Sequence, residues 1–181
     1  MKNFLIALSV VLLFGACNAQ APISRENACW FLFDQTYHPT SFLFVAVQSP
    51  GSFAYVTTYG DGKQAARHVV VAPNNGTGVE DNIIRNAPEI NLRYDLGVSN
   101  DIGLIIGCTN FDGPRAYDGS CPNCETPHPM SWGKKSPQQV TCGRCNRTYS
   151  LDTGNILEGE DGKTLLRYNC AYDGMTVRAW N

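Results

Sequence analysis

Cys121-Pro122-Asn123-Cys124 and, after seventeen intervening residues, Cys142-Gly143-Arg144-Cys145 form the pattern C-x2-C-x17-C-x2-C. Two residues between paired cysteines let one tight turn present both sulfurs to a single point, and two such turns complete a tetrahedron of thiolates around a metal ion. Cys121, Cys124, Cys142 and Cys145 are therefore the candidate ligands. The residue after each knuckle is often held at positive φ, which Asn146 tolerates better than Glu125. The second turn is expected to be the better formed. Zinc and an oxidised two-iron, two-sulfide cluster would leave the same formal charge on four thiolates, so electrostatics does not select between them. Lys134, Lys135, Arg144 and Arg147 lie in or beside the loops and would offset that charge.

Working outward, short apolar runs flank the knuckles. Ile102 to Ile106 reads as a strand, Asn110 to Pro114 as a turn, and Ala116-Tyr117 as the start of a strand leading into Cys121. Leu165 to Tyr172 and Met175 to Trp180 flank Asp173-Gly174, which reads as the two-residue turn of a hairpin. Further upstream, Cys29 to Phe33 and Phe42 to Val47 are aromatic and β-branched and read as strands, with Tyr37-His38-Pro39 as a breaker. Ser52 to Thr58 alternates, Gly60-Asp61-Gly62 ends it, and His68 to Ala72 is the returning strand. Gly60-Asp61-Gly62 lacks the third glycine and the following helix of a phosphate-binding loop. Val79 to Ile84 is readable as a helical turn or a short strand.

Composition agrees with an all-β fold. The 181 residues allow one domain. With 43% hydrophobic and 17% charged residues, the chain has enough apolar surface for a core. Gly 17 and Pro 10 with no long helix-forming stretch favour short strands joined by turns. Fourteen basic against sixteen acidic residues give a charge of −2, which argues against a nucleic-acid partner.

Residues 1–16 read as a signal peptide. The apolar run Phe4 to Phe14 is shorter than the ~20 residues of a membrane-spanning helix. It ends in Leu13-Phe14-Gly15-Ala16-Cys17, which resembles the lipobox of bacterial lipoproteins, with Phe14 in place of the usual aliphatic residue. Cys17 is then the lipidated N-terminus, residues 17–27 a tether, and 28–181 the folded domain, with a metal-binding subdomain at about 120–149. Ordinary cleavage near Ala16 or Ala19 is the rival reading. Export with an outer-membrane anchor is expected, and the uncharged start of the tether favours the periplasmic face.

Cys142-Gly-Arg-Cys145-Asn-Arg-Thr-Tyr149-Ser-Leu-Asp-Thr-Gly154 resembles the second signature of Rieske iron-sulfur domains, with the aromatic, Leu and Gly of that pattern at Tyr149, Leu151 and Gly154. Gly103-Leu-Ile-Ile-Gly and Ala116-Tyr-Asp-Gly-Ser-Cys121-Pro122 resemble the strands entering the first signature. Leu166-Arg-Tyr168 through Asn181 is similar to the closing hairpin. The likeness covers roughly residues 98–181, and the whole chain resembles Rieske-like lipoproteins of Bacteroidetes-type bacteria. It implies an antiparallel β-sandwich or barrel base carrying a zinc-ribbon or rubredoxin-like metal subdomain. The chain departs from the family where it matters most: the two histidine ligands fall on Asn123 and Cys145, and Cys124 is displaced by one residue from the ligand position it would fill. His38 and His68 lie far upstream, and His128 sits between two prolines.

Three states of the four cysteines follow. The first is a structural zinc in a non-catalytic binding or assembly module. The second is an electron carrier with a [2Fe-2S] cluster or a single rubredoxin-like iron, in which Tyr149 would hydrogen-bond a ligating sulfur. The third is a pair of disulfides across the loops, open to an exported chain. Cys29, Cys108 and Cys170 read as buried thiols, with one disulfide among them as the alternative. No activated-nucleophile signature is present. Glu158, Glu160 and Asp161 read as a solvated turn, and the protein is not expected to be an enzyme.

Overall fold

The computed structural model describes residues 20–60 and 67–181. The signal segment, Cys17, and Asp61 and Gly62 of the glycine turn lie outside the described residues. No helix among those described is long and apolar enough to cross a membrane.

The chain is built almost wholly of antiparallel strands, in the order β1 (Cys29–Asp34), α1 (Phe42–Ala46), β2 (Phe53–Gly60), β3 (Arg67–Pro73), β4 (Glu80–Ile84), α2 (Ala87–Ile90), β5 (Asp95–Leu96), β6 (Leu104–Thr109), β7 (Gly113–Asp118), β8 (Met130–Trp132), β9 (Gln139–Cys142), β10 (Thr148–Ser150), β11 (Ile156–Glu158), β12 (Arg167–Tyr172) and β13 (Thr176–Trp180). A nine-stranded sheet runs β4-β3-β2-β6-β7-β12-β13-β1-β5, and a four-stranded sheet runs β11-β10-β9-β8.

The large sheet curls around a single core. Phe31 and Phe33 of β1 share one buried cluster with Val69 and Val71 of β3. A flat sheet with strands ~4.8 Å apart would hold these two strands about 29 Å from each other. Leu43, Phe44 and Ala46 of α1 fill the interior, with the Phe33 and Phe44 rings 5.6 Å apart.

Strict alternation then gives β2, β6 and β7 two buried faces. Ala54, Val56, Leu104, Ile106 and Ala116 point into the curled sheet. Phe53, Ile105 and Tyr117 point the other way, into a second core shared with Met130, Val140, Tyr149 and Leu151 of the small sheet and its turns. All six residues of β6 are buried for this reason. Gly103 enters β6 at φ 76, and a Cβ there would collide with the Val56 carbonyl.

One expected strand is a helix. Within Phe42 to Val47, Phe42–Ala46 forms α1 with Val47 as its C-cap, because Ser41 caps it by accepting from the Leu43 N–H (3.3 Å) while the Glu80 carboxylate accepts from the Phe42 N–H (2.8 Å). An unbroken apolar run carries no period that separates a buried strand from a buried helix. Val79 to Ile84 resolves as a strand, β4, paired with β3. The β12–β13 connection is three residues, 173–175, and not the expected two, because the Asp173 carboxylate accepts from the Met175 and Thr176 N–H groups and holds Met175 in the turn.

His38 and Glu89 form a buried pair at 2.8 Å beneath the Phe33 ring. Burial alone would raise the Glu89 carboxyl. Hydrogen bonds from His38, Asn86 and the Asp34 N–H, with the His38 charge, outweigh it and hold the carboxyl below its ordinary value. A depressed carboxyl contributes stability above its unfolded value, about 4.3, which is lost as pH falls through the folded value. Urea titrations at a series of pH values should find Glu89→Gln less stable than the parent at pH 7. The gap should close on acidification below pH 4; a constant gap would contradict the assignment.

Candidate metal centre

The two knuckles face each other at one end of the small sheet. The first follows β7: Cys121 donates its N–H to the His128 carbonyl (2.9 Å), and Ser120 bridges to Pro129. The second closes the end of β9, where the Asn146 N–H reaches the Cys142 carbonyl and the Cys142 N–H reaches the Arg147 carbonyl, both at 2.9 Å. Asn146 takes φ 56, the sole positive value at a non-glycine residue among those described, so the second turn has the expected geometry and the first closes without it.

The four sulfurs converge. Cys121, Cys124, Cys142 and Cys145 bring their Sγ atoms within 4.8 Å of one another, with Cys121–Cys145 and Cys124–Cys142 both at 3.6 Å. A tetrahedron with Zn–S of about 2.3 Å has an edge of about 3.8 Å. Two such tetrahedra sharing an edge, the geometry of a two-iron cluster, would put the outer sulfurs of different irons about 5.4 Å apart. The quartet is sized for one ion. The 3.6 Å separations also exceed the ~2.05 Å of a disulfide, and the four cysteines are free thiols. Cys29, Cys108 and Cys170 are likewise free; burial pushes the Cys29 and Cys170 thiols up to about 12.

Crowding sets the Cys124 and Cys145 thiols apart. Burial and the adjoining Cys142 and Cys121 push the Cys124 thiol up to about 12. At Cys145 burial also raises the thiol, but the Arg147 N–H and guanidinium, with the neighbouring thiols, bring it down to about 6. A cation would offset the mutual repulsion of the thiolates, and its binding would release their protons.

Around the ligands the polar partners are directional. The Asn123 amide donates to the Tyr149 hydroxyl (2.9 Å), whose own proton is thereby left to face Cys121 Sγ at 3.5 Å. Asn123 also exchanges hydrogen bonds with the Lys163 backbone at 2.7 and 2.8 Å, tying the 159–163 loop over the first knuckle. Arg147 ties the same loop to the second, donating to the Glu160 carbonyl at 2.8 Å and to its carboxylate at 3.2 Å. The Tyr55 hydroxyl donates to the Met130 carbonyl (2.6 Å) and braces the small sheet against β2.

Of the four basic residues expected to offset the charge, Arg147 reaches a sulfur, whereas Lys135 pairs with Glu158 and Arg144 with Thr126. His128 contributes backbone groups, and His38 and His68 pair with Glu89 and Asp81. Gly154 takes φ 80, and a Cβ would come within 2.9 Å of Ala21. The roles of Asn123 and Tyr55 had no sequence signal, since both depend on partners brought in from distant strands. Tyr149→Phe, which removes one hydrogen bond to a ligand, should weaken metal binding by roughly tenfold in competition with a chromophoric chelator. Equal affinity would remove Tyr149 from the site.

No protein-family model, no curated protein and no solved structure matches this chain.

Proposed function

We propose that the protein is a membrane-anchored, Rieske-like lipoprotein in which the four cysteines hold a single structural Zn²⁺, and that it serves as a non-catalytic binding or assembly module. The observation that carries this reading is the compactness of the sulfur quartet, all within 4.8 Å, which suits one tetrahedral ion. A closed four-thiolate shell leaves no open position for substrate, as in other structural zinc sites. The anchor is the lipid of Cys17, and the location is the periplasmic face of the outer membrane. A lone rubredoxin-like iron, making the protein an electron carrier, is the second reading. The Tyr149 hydroxyl and the Arg147 N–H directed at the sulfurs favour it, because such hydrogen bonds tune an iron-thiolate potential.

Metal analysis and a visible spectrum on the protein purified without chelator decide between them. One zinc per chain and no colour is the expected result. One iron with visible absorption and a reversible couple would replace zinc by the electron-transfer reading. Iron with equimolar sulfide would require the sulfurs to spread apart. Neither metal, with four thiols lost until reductant is added, would substitute disulfides.

A further inference from the structure

One end of the curled sheet carries a rim of exposed apolar side chains. The registers Phe53↔Gly107, Ala54↔Pro73, Thr109↔Gly113 and Asp34↔Thr176 place the ends of β1, β3 and β6 and the starts of β2, β7 and β13 together. Tyr37 follows β1, Val79 precedes β4, Phe111 is on the β6–β7 turn and Met175 on the β12–β13 turn. Val45 faces outward from α1, whose other side fills the interior. Phe111 is 91% exposed and Val79 70%. The cost of leaving such groups in water is typically recovered by an interaction surface.

The first described residue lies beside this rim. The Gln20 side chain donates to the Asp112 carboxylate (2.6 Å), next to Phe111, and accepts from Arg115 (2.7 Å) and from Arg167 at the start of β12 (3.0 Å). Gln20 lies three positions after Cys17, a reach of at most about 11 Å. A lipid on Cys17 would therefore lie close enough to hold this end against a bilayer. At the rim Asp112 pairs with Arg115 and Asp173 with Arg178, while the Asp34, Glu80 and Asp152 carboxylates accept hydrogen bonds from Thr36, Phe42 and Asn110 N–H groups.

We propose that this rim is a membrane-contact surface, with Phe111 seated in the interfacial layer of the bilayer that takes up the Cys17 lipid and Tyr37, Val45, Val79 and Met175 around it. The inference rests on the reading of Cys17 as lipidated. Contact is apolar, so uncharged lipids suffice and salt does not release it. The candidate metal centre lies beyond the opposite end of β7, with Cys124 and Cys145 partly exposed.

The test uses the full lipidated chain, extracted from membranes and reconstituted in phosphatidylcholine vesicles with or without brominated acyl chains. Phe111→Trp adds an indole to the emission of Trp30, Trp132 and Trp180, which the unsubstituted protein supplies as baseline. The added emission should shift blue on vesicles and lose about half or more of its intensity with brominated lipid, at low and high salt alike. Protein that floats with the vesicles while the added indole stays unquenched would overturn the contact and leave the anchor standing. Failure to float would remove the lipid anchor and the contact with it. A blue shift without vesicles that grows with protein concentration would assign the rim to a second copy and overturn the proposal.

Discussion

Cys142→Ser should abolish stoichiometric metal binding and open the small sheet while the large one stays folded. Cys142 is fully buried at the end of β9, where its sulfur faces Cys124 at 3.6 Å, and the remaining three thiols cannot complete the tetrahedron. Structural zinc contributes on the order of 10–16 kcal/mol in small domains, comparable to or larger than the ~5–15 kcal/mol of a whole domain's stability. The loss is thus ample to melt β8 to β11 even against the core they share with Phe53, Ile105 and Tyr117. The interior of the nine-stranded sheet takes no residue from the small sheet, so it has its own reason to persist. Metal content and hydrogen exchange by mass spectrometry are the measurements: protection should vanish across 130–158 and remain in β6 and β13. A strong chelator should reproduce the pattern in the unsubstituted protein. Retained protection across 130–158 in the metal-free protein would show that packing alone holds the small sheet.

Asp118→Ala should cost about 3–5 kcal/mol of stability, the second largest effect expected of a single substitution. The Asp118 carboxylate is inaccessible to water and accepts from the Ser120 N–H (2.8 Å), the Val98 N–H (2.9 Å) and the Tyr168 hydroxyl (2.9 Å). Alanine leaves three desolvated donors without an acceptor, each costing roughly 1–3 kcal/mol before relaxation. Because Ser120 immediately precedes Cys121, the variant should also bind metal more weakly. Burial raises the Asp118 carboxyl despite those bonds. A raised group contributes stability that is present below its unfolded value and lost as pH rises through its folded value. Asp118→Asn should therefore cost less than Asp118→Ala and remove that part of the pH dependence. Equal costs for the two variants in urea unfolding would argue that the hydrogen bonds matter little.

The candidate site was largely legible because its logic is local. A C-x2-C turn brings two sulfurs together whatever surrounds it, and Asn146 marks the backbone conformation that the second turn needs. Strands with alternating side chains, such as Phe53 to Thr58, were equally plain. Phe42 to Val47 was not, because its helix depends on Glu80, 38 residues away, accepting from the Phe42 N–H. Asn123 was hidden for the same reason: its partners are Tyr149 and the Lys163 backbone.

Sequence alone thus determined the all-β class and the convergence of the four cysteines, since each follows from the period of a strand or the covalent span of a few residues. Tertiary structure decided that β6 lies between β2 and β7, that β1 closes against β13, and that Phe53, Ile105 and Tyr117 serve a second core. It also decided the size of the sulfur quartet and the gathering of Phe111, Val79 and Met175 at the end beside Gln20. Those outcomes depend on which distant surfaces bury each other best, and apolar burial is non-directional: a single strand's pattern says that a face is covered, not what covers it.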